Sequence, residues 1–324
     1  MELSSNTIPK SKIFVFGSCD VWDAVDISPI RREFDIDKYY YNDRPYDLDL
    51  DKGKLPIRSP SLLSLYTPPN TIANRVFDTM HSIRHKPPLI DHYWIYHEII
   101  KFPYLKFYQE NAGPNDILVC NFSAELYTKY VTSNEAFTIV PPMIKLLKNS
   151  NSPFSWLADE LIKTQHHRCF DQAEVIGQNI DLFKQFTKEL IAIFGDRCIL
   201  VDTLLTEFSY TDTKNIVKLP TLQPRTDWIP FYKPTKIMVD PTDIKHIRRL
   251  ANLGTKGFKT HYRTKIPFVT LDQEDIWMDP FHAHGAGPFH HHRITSEKLG
   301  AKIYDELKKI RNKIENPEIG QIEG

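Results

Sequence analysis

Ile13-Phe14-Val15-Phe16-Gly17-Ser18-Cys19-Asp20 carries four apolar residues in a row and then a glycine. An uninterrupted apolar run of this length, closed by a turn, is the form of a strand buried on both faces of a parallel sheet. Asp20 and Asp23 suit the first turn of a helix over 20–27, where the N-terminal end of the helix dipole favours carboxylates. Similar runs recur along the chain. Asp116–Phe122 is entered from the turn Gly113-Pro114-Asn115, Arg197–Asp202 follows, and Pro267–Leu271 reads as the last strand. Residues 34–58 suggest a second strand running into a surface loop. Between the strands the pattern predicts helices over 71–84, 91–106 and 152–195, the last with Leu182, Phe183, Phe186, Leu190 and Ile193 at helical spacing. Thr295 is a good N-cap for a final helix over 296–314.

Strands alternating with helices give an α/β fold, a three-layer, flavodoxin-like parallel sheet with helices on both faces. The expected organisation is a single domain over 1–315 and a frayed tail over 316–324. Within the domain the reading places a helical excursion at about 135–190 and a long insertion at about 205–265, the latter with one short helix over 242–253.

The 324 residues can bury a sizeable core, and 41% apolar with 25% charged residues is ordinary for a globular protein. Lys and Arg together number 41, as do Asp and Glu, so no net basic field attracts nucleic acid or anionic lipid. No apolar run approaches the length a bilayer needs, and Met1–Lys12 lacks the apolar stretch of a secretory signal. A soluble, cytoplasmic protein is expected. Twelve glycines against 23 prolines imply long, rigidly turned connections. Cys19, Cys120, Cys169 and Cys198 show no close-spaced pair and no Cys/His zinc spacing, so no disulfide is expected. Cys120 and Cys198 read as small buried hydrophobes inside strands.

In a parallel sheet, ligands gather at the carboxyl ends of the strands. Gly17-Ser18-Cys19 and Asn121 fall at such ends, and Asp279 follows another. Trp277-Met278-Asp279-Pro280-Phe281-His282 sets a carboxylate and an imidazole three residues apart, shortly before the final helix. A nucleophile, an imidazole to take its proton and a carboxylate to orient that imidazole are the parts of an activated-nucleophile site. Acyl transfer is therefore the leading expectation. Cys19 is the favoured nucleophile, because the start of a helix favours the thiolate, and Ser18 is the alternative. His282 is the favoured base, with His290 its rival or its supporting partner. Plainer readings stand beside these: small residues that a tight turn accepts, an Asn that caps a strand, and an incidental pair in a His-rich loop. His282, His284, His290, His291 and His292 have no carboxylate or thiolate partners at recognisable spacing, so no metal is expected. The aromatic clusters at 39–41 and 92–97 read mainly as packing, with stacking on sugar rings at a cleft edge as the alternative.

The turn after the first strand, the Asp-x-x-His before the last helix and the Asn between them resemble the SGNH/GDSL hydrolase superfamily. That resemblance implies an SGNH-type sheet and gives Asn121 the role of an oxyanion-hole amide. A closer resemblance is to a little-characterised bacterial subgroup with Gly-Ser-Cys at the first turn, an Arg-x-Ser-x-x-Ser-Leu stretch and Asp-Pro-x-His running on to Gly-x-x-Pro-Phe-His. Here the corresponding segments are Arg58-Ser59-Pro60-Ser61-Leu62-Leu63-Ser64-Leu65 and Gly285-Ala286-Gly287-Pro288-Phe289-His290. By that likeness Arg58 and Ser61 line the site, with a backbone N–H near Ser61 as a second oxyanion donor. The chain departs from the pattern where Cys19 stands in the superfamily's serine slot, where Cys120 replaces the glycine before Asn121, and at Asp20-Val21-Trp22-Asp23. The resemblance implies an O-acyltransferase or esterase acting on a carbohydrate or a small acyl ester, with bacterial surface glycans such as capsule as the implied substrate. No cofactor is required. Acetyl-CoA or another acyl donor is compatible with a transferase, although no nucleotide-binding motif marks it. A non-catalytic glycan- or partner-binding protein of the same fold is the alternative, and the oligomeric state is left open.

Overall fold

The computed structural model describes residues 10–17, 19–37, 62–67, 71–83, 99, 103–122, 129–131, 136–138, 151–157, 160, 167–168, 172–202, 204, 208–210, 216–218, 266–278 and 291–316; of Cys19 only the backbone is described. Five strands make one sheet: β1 (Lys12–Phe16), β2 (Asp35–Ile36), β3 (Ile117–Cys120), β4 (Cys198–Val201) and β5 (Phe268–Val269). Their order is β2-β1-β3-β4-β5, and every pairing is parallel. This is the flavodoxin-like order, whose direction of winding reverses between β1 and β3. The apolar runs behave as expected: Ile13–Phe16 and all of β3 and β4 are buried.

Seven helices are described: α1 (Cys19–Val25), α2 (Ser28–Glu33), α3 (Leu62–Tyr66), α4 (Thr71–Ser82), α5 (Tyr104–Asn111), α6 (Gln172–Phe194) and α7 (Arg293–Glu315). Side chains alternate across a strand, so Phe14 and Phe16 share one face of β1. Phe14 meets Tyr108 and Phe194 at ring-centroid distances of 5.6 and 5.8 Å, and Phe16 meets Tyr104 and Phe186 at 5.2 and 4.8 Å. Those partners belong to α5 and α6, which form one helical layer. Ile13 and Val15 face the other way, toward the layer of α1 and α7, and α7 also packs on β4 and β5. α2 is tied to α7 through Glu33, which accepts from the Tyr304 hydroxyl and, at 2.6 Å, from Arg311. At the amino edge of the sheet, Asp116 accepts from the backbone N–H groups of Lys12 at 2.8 Å and Gly113 at 2.7 Å, closing the turn that enters β3.

Several local expectations are corrected. Residues 152–195 are not one helix: His167–Arg168 is a strand pairing with Lys129–Val131, which also pairs with Ala136–Thr138, and α6 starts only at Gln172. The excursion at 135–190 therefore contributes two strands, as well as helix, to a small antiparallel sheet whose central strand, Lys129–Val131, precedes it. Long-range pairing has overridden the local helical period there. In the region expected over 91–106, the described helix α5 starts after Pro103 and runs on to Asn111. The insertion contributes Phe208–Tyr210 and Ile216–Lys218, an antiparallel pair that Trp277–Met278 extends in parallel. Thr295 is not the cap of α7. His292 is, with its Nδ1 accepting from the Ile294 N–H at 3.2 Å. The helix expected over 242–253, the tail after Asn316, Cys169 and the aromatic clusters at 39–41 and 92–97 lie outside the described residues. Among the described residues no helix is long and apolar enough to cross a membrane.

Candidate active site

At the carboxyl end of the sheet the chain departs from apolar packing at Asn121 and Asp202. β1 ends at Phe16 and α1 starts at Cys19, so only Gly17 and Ser18 separate strand from helix. Gly17 fits this step because a Cβ there would lie 3.2 Å from Cβ of Val21 and 3.4 Å from Cβ of Asn121. The β1 turn and the residue after β3 are thus in contact at the switch point, the crevice where open α/β sheets bind ligands.

Asn121 is fully buried. Its backbone N–H donates to the Phe16 carbonyl at 2.7 Å, which carries the β1–β3 pairing one residue past the strands. Its side-chain Nδ2 donates to the Asp202 carbonyl at 3.2 Å. An amide donates twice, so holding one N–H on Asp202 fixes the direction of the other. Asp202 stands directly after β4, as Asn121 stands after β3, and is itself buried. Its backbone N–H donates to Val269 at 2.9 Å, and its carboxylate accepts from the Thr270 hydroxyl at 2.5 Å. A continuous polar chain therefore runs across the ends of β1, β3, β4 and β5. Asp202 and Thr270 received no role from sequence. The available signal was a carboxylate closing a four-residue apolar run in the same position as Asn121.

The first turn of α1 begins at Cys19, where the sequence predicted the nucleophile's helix. The helix is only seven residues long and carries Asp20 and Asp23, with Asp26 directly after it. Asp20 is buried, and Asp23 faces solvent. Although exposed as a residue, Asp23 has its carboxyl raised to about 6, first by loss of water around it and then by the like charges of Asp20 and Asp26. Negative charge on this helix opposes the attraction its dipole offers an anion at the N-terminus. Cys120 and Cys198 are not rival nucleophiles. Both are fully buried, and burial pushes both thiols far above the ordinary range, so neither supplies thiolate.

At the other end of the site's sequence, His291 is buried and its Nε2 lies 3.0 Å from the Leu204 carbonyl. A carbonyl only accepts, so Nε2 carries the proton. His292, capping α7 through Nδ1, has that nitrogen unprotonated. Neither ring was singled out as a base by sequence. Ser18, Arg58, Ser61, Asp279, His282 and His290, and the side chain of Cys19, lie outside the described residues. Of the predicted set, the structure brings together the β1 exit turn and Asn121. Among the described residues no group of three His, Cys, Asp or Glu side chains is placed to hold a metal ion.

No family model, curated protein or solved structure matches the chain.

Proposed function

We propose that the chain transfers an acyl group through a covalent enzyme intermediate formed at the carboxyl ends of β1 and β3. The observation that supports this reading is the contact between the β1 exit turn, which leads into α1 at Cys19, and the buried Asn121. In the proposed reaction the Cys19 thiolate, or the Ser18 oxygen, adds to the carbonyl carbon of an ester or thioester. His282, oriented by Asp279, takes the nucleophile's proton and gives it to the departing oxygen or sulfur as that bond breaks. His290 is the alternative base. The negative oxygen of the intermediate is met by the backbone N–H at residue 19, one near Ser61, and the Asn121 amide held by Asp202. Arg58 lines the substrate side.

An acceptor oxygen then attacks the acyl-enzyme, its proton passes to the base, and the nucleophile leaves regenerated. With water as acceptor the protein is an esterase. With a sugar hydroxyl it is an O-acyltransferase. A carbohydrate acceptor of the bacterial surface and an acyl donor such as acetyl-CoA follow the superfamily resemblance; these and a cytoplasmic location belong to this proposal.

The test is intact-mass analysis after mixing the protein with chromogenic acyl esters and with acyl thioesters, with and without sugar acceptors. One acyl group should appear on the peptide holding Ser18 and Cys19. Turnover should fall roughly a thousandfold or more in Cys19→Ala and in His282→Ala. An adduct on Ser18 would move the nucleophile by one residue. Absence of both adduct and turnover from the wild-type protein would leave the non-catalytic glycan- or partner-binding reading in its place.

A further inference from the structure

Three strands of the sheet are each followed directly by a polar residue: Asn121 after β3, Asp202 after β4 and Thr270 after β5. Side-chain bonds join the three in order across the carboxyl edge. The Thr270 hydroxyl donates to the Asp202 carboxylate at 2.5 Å, and the Asp202 carbonyl accepts from the Asn121 side-chain amide at 3.2 Å. Thr270 Oγ1 also lies 3.4 Å from the Leu271 carbonyl, but a hydroxyl has one proton, and the shorter contact to the carboxylate takes it. Asp202 lies two residues beyond the last pair of the β3–β4 ladder, Cys120 with Leu200. Its backbone N–H donates to the Val269 carbonyl at 2.9 Å, so this residue is held through its N–H, its carboxylate and its carbonyl.

We infer that Thr270 is a positioning residue: through the Asp202 carboxylate it fixes the Asp202 carbonyl, and that carbonyl sets the direction of the Asn121 amide. The catalytic consequence rests on the acyl-transfer reading above, whereas the orientation of the amide does not. A carbonyl beyond the end of a paired strand turns with the ψ angle of its own residue. The side chain of aspartate is short, so tying its oxygen to Thr270 while the N–H is tied to Val269 of the same strand restricts that rotation. Lys302 of α7 donates to the Thr270 carbonyl at 2.9 Å, which anchors the residue that supplies the hydroxyl. Asn121 and Asp202 are both buried, so water competes little for these bonds and the loss of one is felt fully. Valine matches threonine in shape but lacks the hydroxyl donor, while serine keeps it.

Thr270→Val, Thr270→Ser and wild type should be compared by NMR of protein carrying isotope-labelled asparagine and by steady-state kinetics. The side-chain amide protons of Asn121 should exchange with solvent roughly tenfold faster in Thr270→Val, a factor in keeping with the free energy of one hydrogen bond, while backbone amides of β1 and β3 keep their protection. Thr270→Ser should restore the wild-type rate. For an active wild type, kcat should fall roughly tenfold or more in Thr270→Val with KM unchanged, because an oxyanion donor acts in the transition state, and Thr270→Ser should recover most of it. In an Asn121→Ser background the same Thr270→Val change should lower kcat by about twofold at most, since its effect passes through Asn121. A threonine that serves stability alone would lower the melting temperature and leave kcat of the folded enzyme and exchange at Asn121 unchanged. That result, or an equal loss of kcat with and without Asn121, overturns the inference. If the wild type transfers no acyl group at all, the function proposed above fails, and exchange at the Asn121 amide still decides whether Thr270 orients it.

Discussion

Replacing Gly300 with alanine tests the packing that sets α1 against the sheet. On an open helical surface the substitution stabilises, by about 1 kcal/mol, because alanine loses less backbone entropy than glycine. Here the new methyl carbon would stand 2.3 Å from the Ala24 carbonyl oxygen and 2.7 Å from Cδ1 of Ile27. Ile27 can rotate, but a main-chain carbonyl cannot, so α1 and α7 must move apart. Overpacking of this kind costs about 1–3 kcal/mol, and the backbone obstacle puts Gly300→Ala at the upper end. After the helix-propensity gain, a net loss of about 1–2 kcal/mol is expected, or a fall in melting temperature of about 2–6 °C for a chain of this size. Calorimetry or circular dichroism reads the shift. Adding Ile27→Ala to Gly300→Ala should not restore stability, because the contact with Ala24 remains. Since α1 begins at Cys19, the displaced helix should also slow acyl-enzyme formation in the assay above. A melting temperature equal to or above wild type would show that α1 and α7 do not meet through Gly300.

Substitutions at two further positions separate other causes. Gly195, immediately after α6, has φ of +60° with no atom within 4 Å of a Cβ placed there, so Gly195→Ala should destabilise by about 1 kcal/mol through backbone strain alone, with Gly195→Asn costing less; denaturant titration measures both. Asp23 has a folded-state pKa raised from 3.8 to about 6, so the folded protein holds its proton more tightly than the unfolded chain and wild type loses stability as pH rises through that window. The raised value corresponds to about 3 kcal/mol unscreened, which solvent exposure reduces to about 1 kcal/mol or less. Asp23→Asn should therefore be the more stable protein above pH 6, and its advantage should vanish below about pH 4. Melting curves across that range that show a constant difference would contradict this account.

What could be read from the sequence depended on whether the deciding contacts were local. Ile13–Phe16, Ile117–Cys120 and Cys198–Val201 were legible because a strand covered on both faces needs an uninterrupted apolar run, and the turn residues mark its end. α4 and the stretch of α6 from Leu182 onward were legible from helical spacing. The errors came where a partner distant in sequence redirected a residue. His167–Arg168 left its expected helix to pair with Lys129–Val131. Thr295 has the chemistry of an N-cap, yet its hydroxyl goes to Asp275 and Trp277, 20 and 18 residues away, and a histidine caps the helix. The candidate site divides in the same way. Asn121 was visible as an amide at a strand end, but its partner Asp202 lies 81 residues on.

That partnership bears on why the sheet ends in polar residues at all. Burying an amide and a carboxylate costs free energy that hydrogen bonds only offset, and well-packed apolar side chains commonly replace such groups without loss of stability. Asn121 and Asp202 nevertheless occupy equivalent positions, each following a strand of four fully buried residues. Their side chains and backbone join β1, β3, β4 and β5 at the carboxyl edge, where this topology places ligands. At the amino edge the buried Asp116 ties β1 to the turn that enters β3, so a carboxylate at a strand end also serves the fold. The carboxyl-edge arrangement does supply fixed donor directions in a site screened from water, where an oriented dipole acts more strongly than in solvent. At the carboxyl edge the polar residues coincide with the switch point of the sheet, and that coincidence supports the proposed oxyanion role of Asn121.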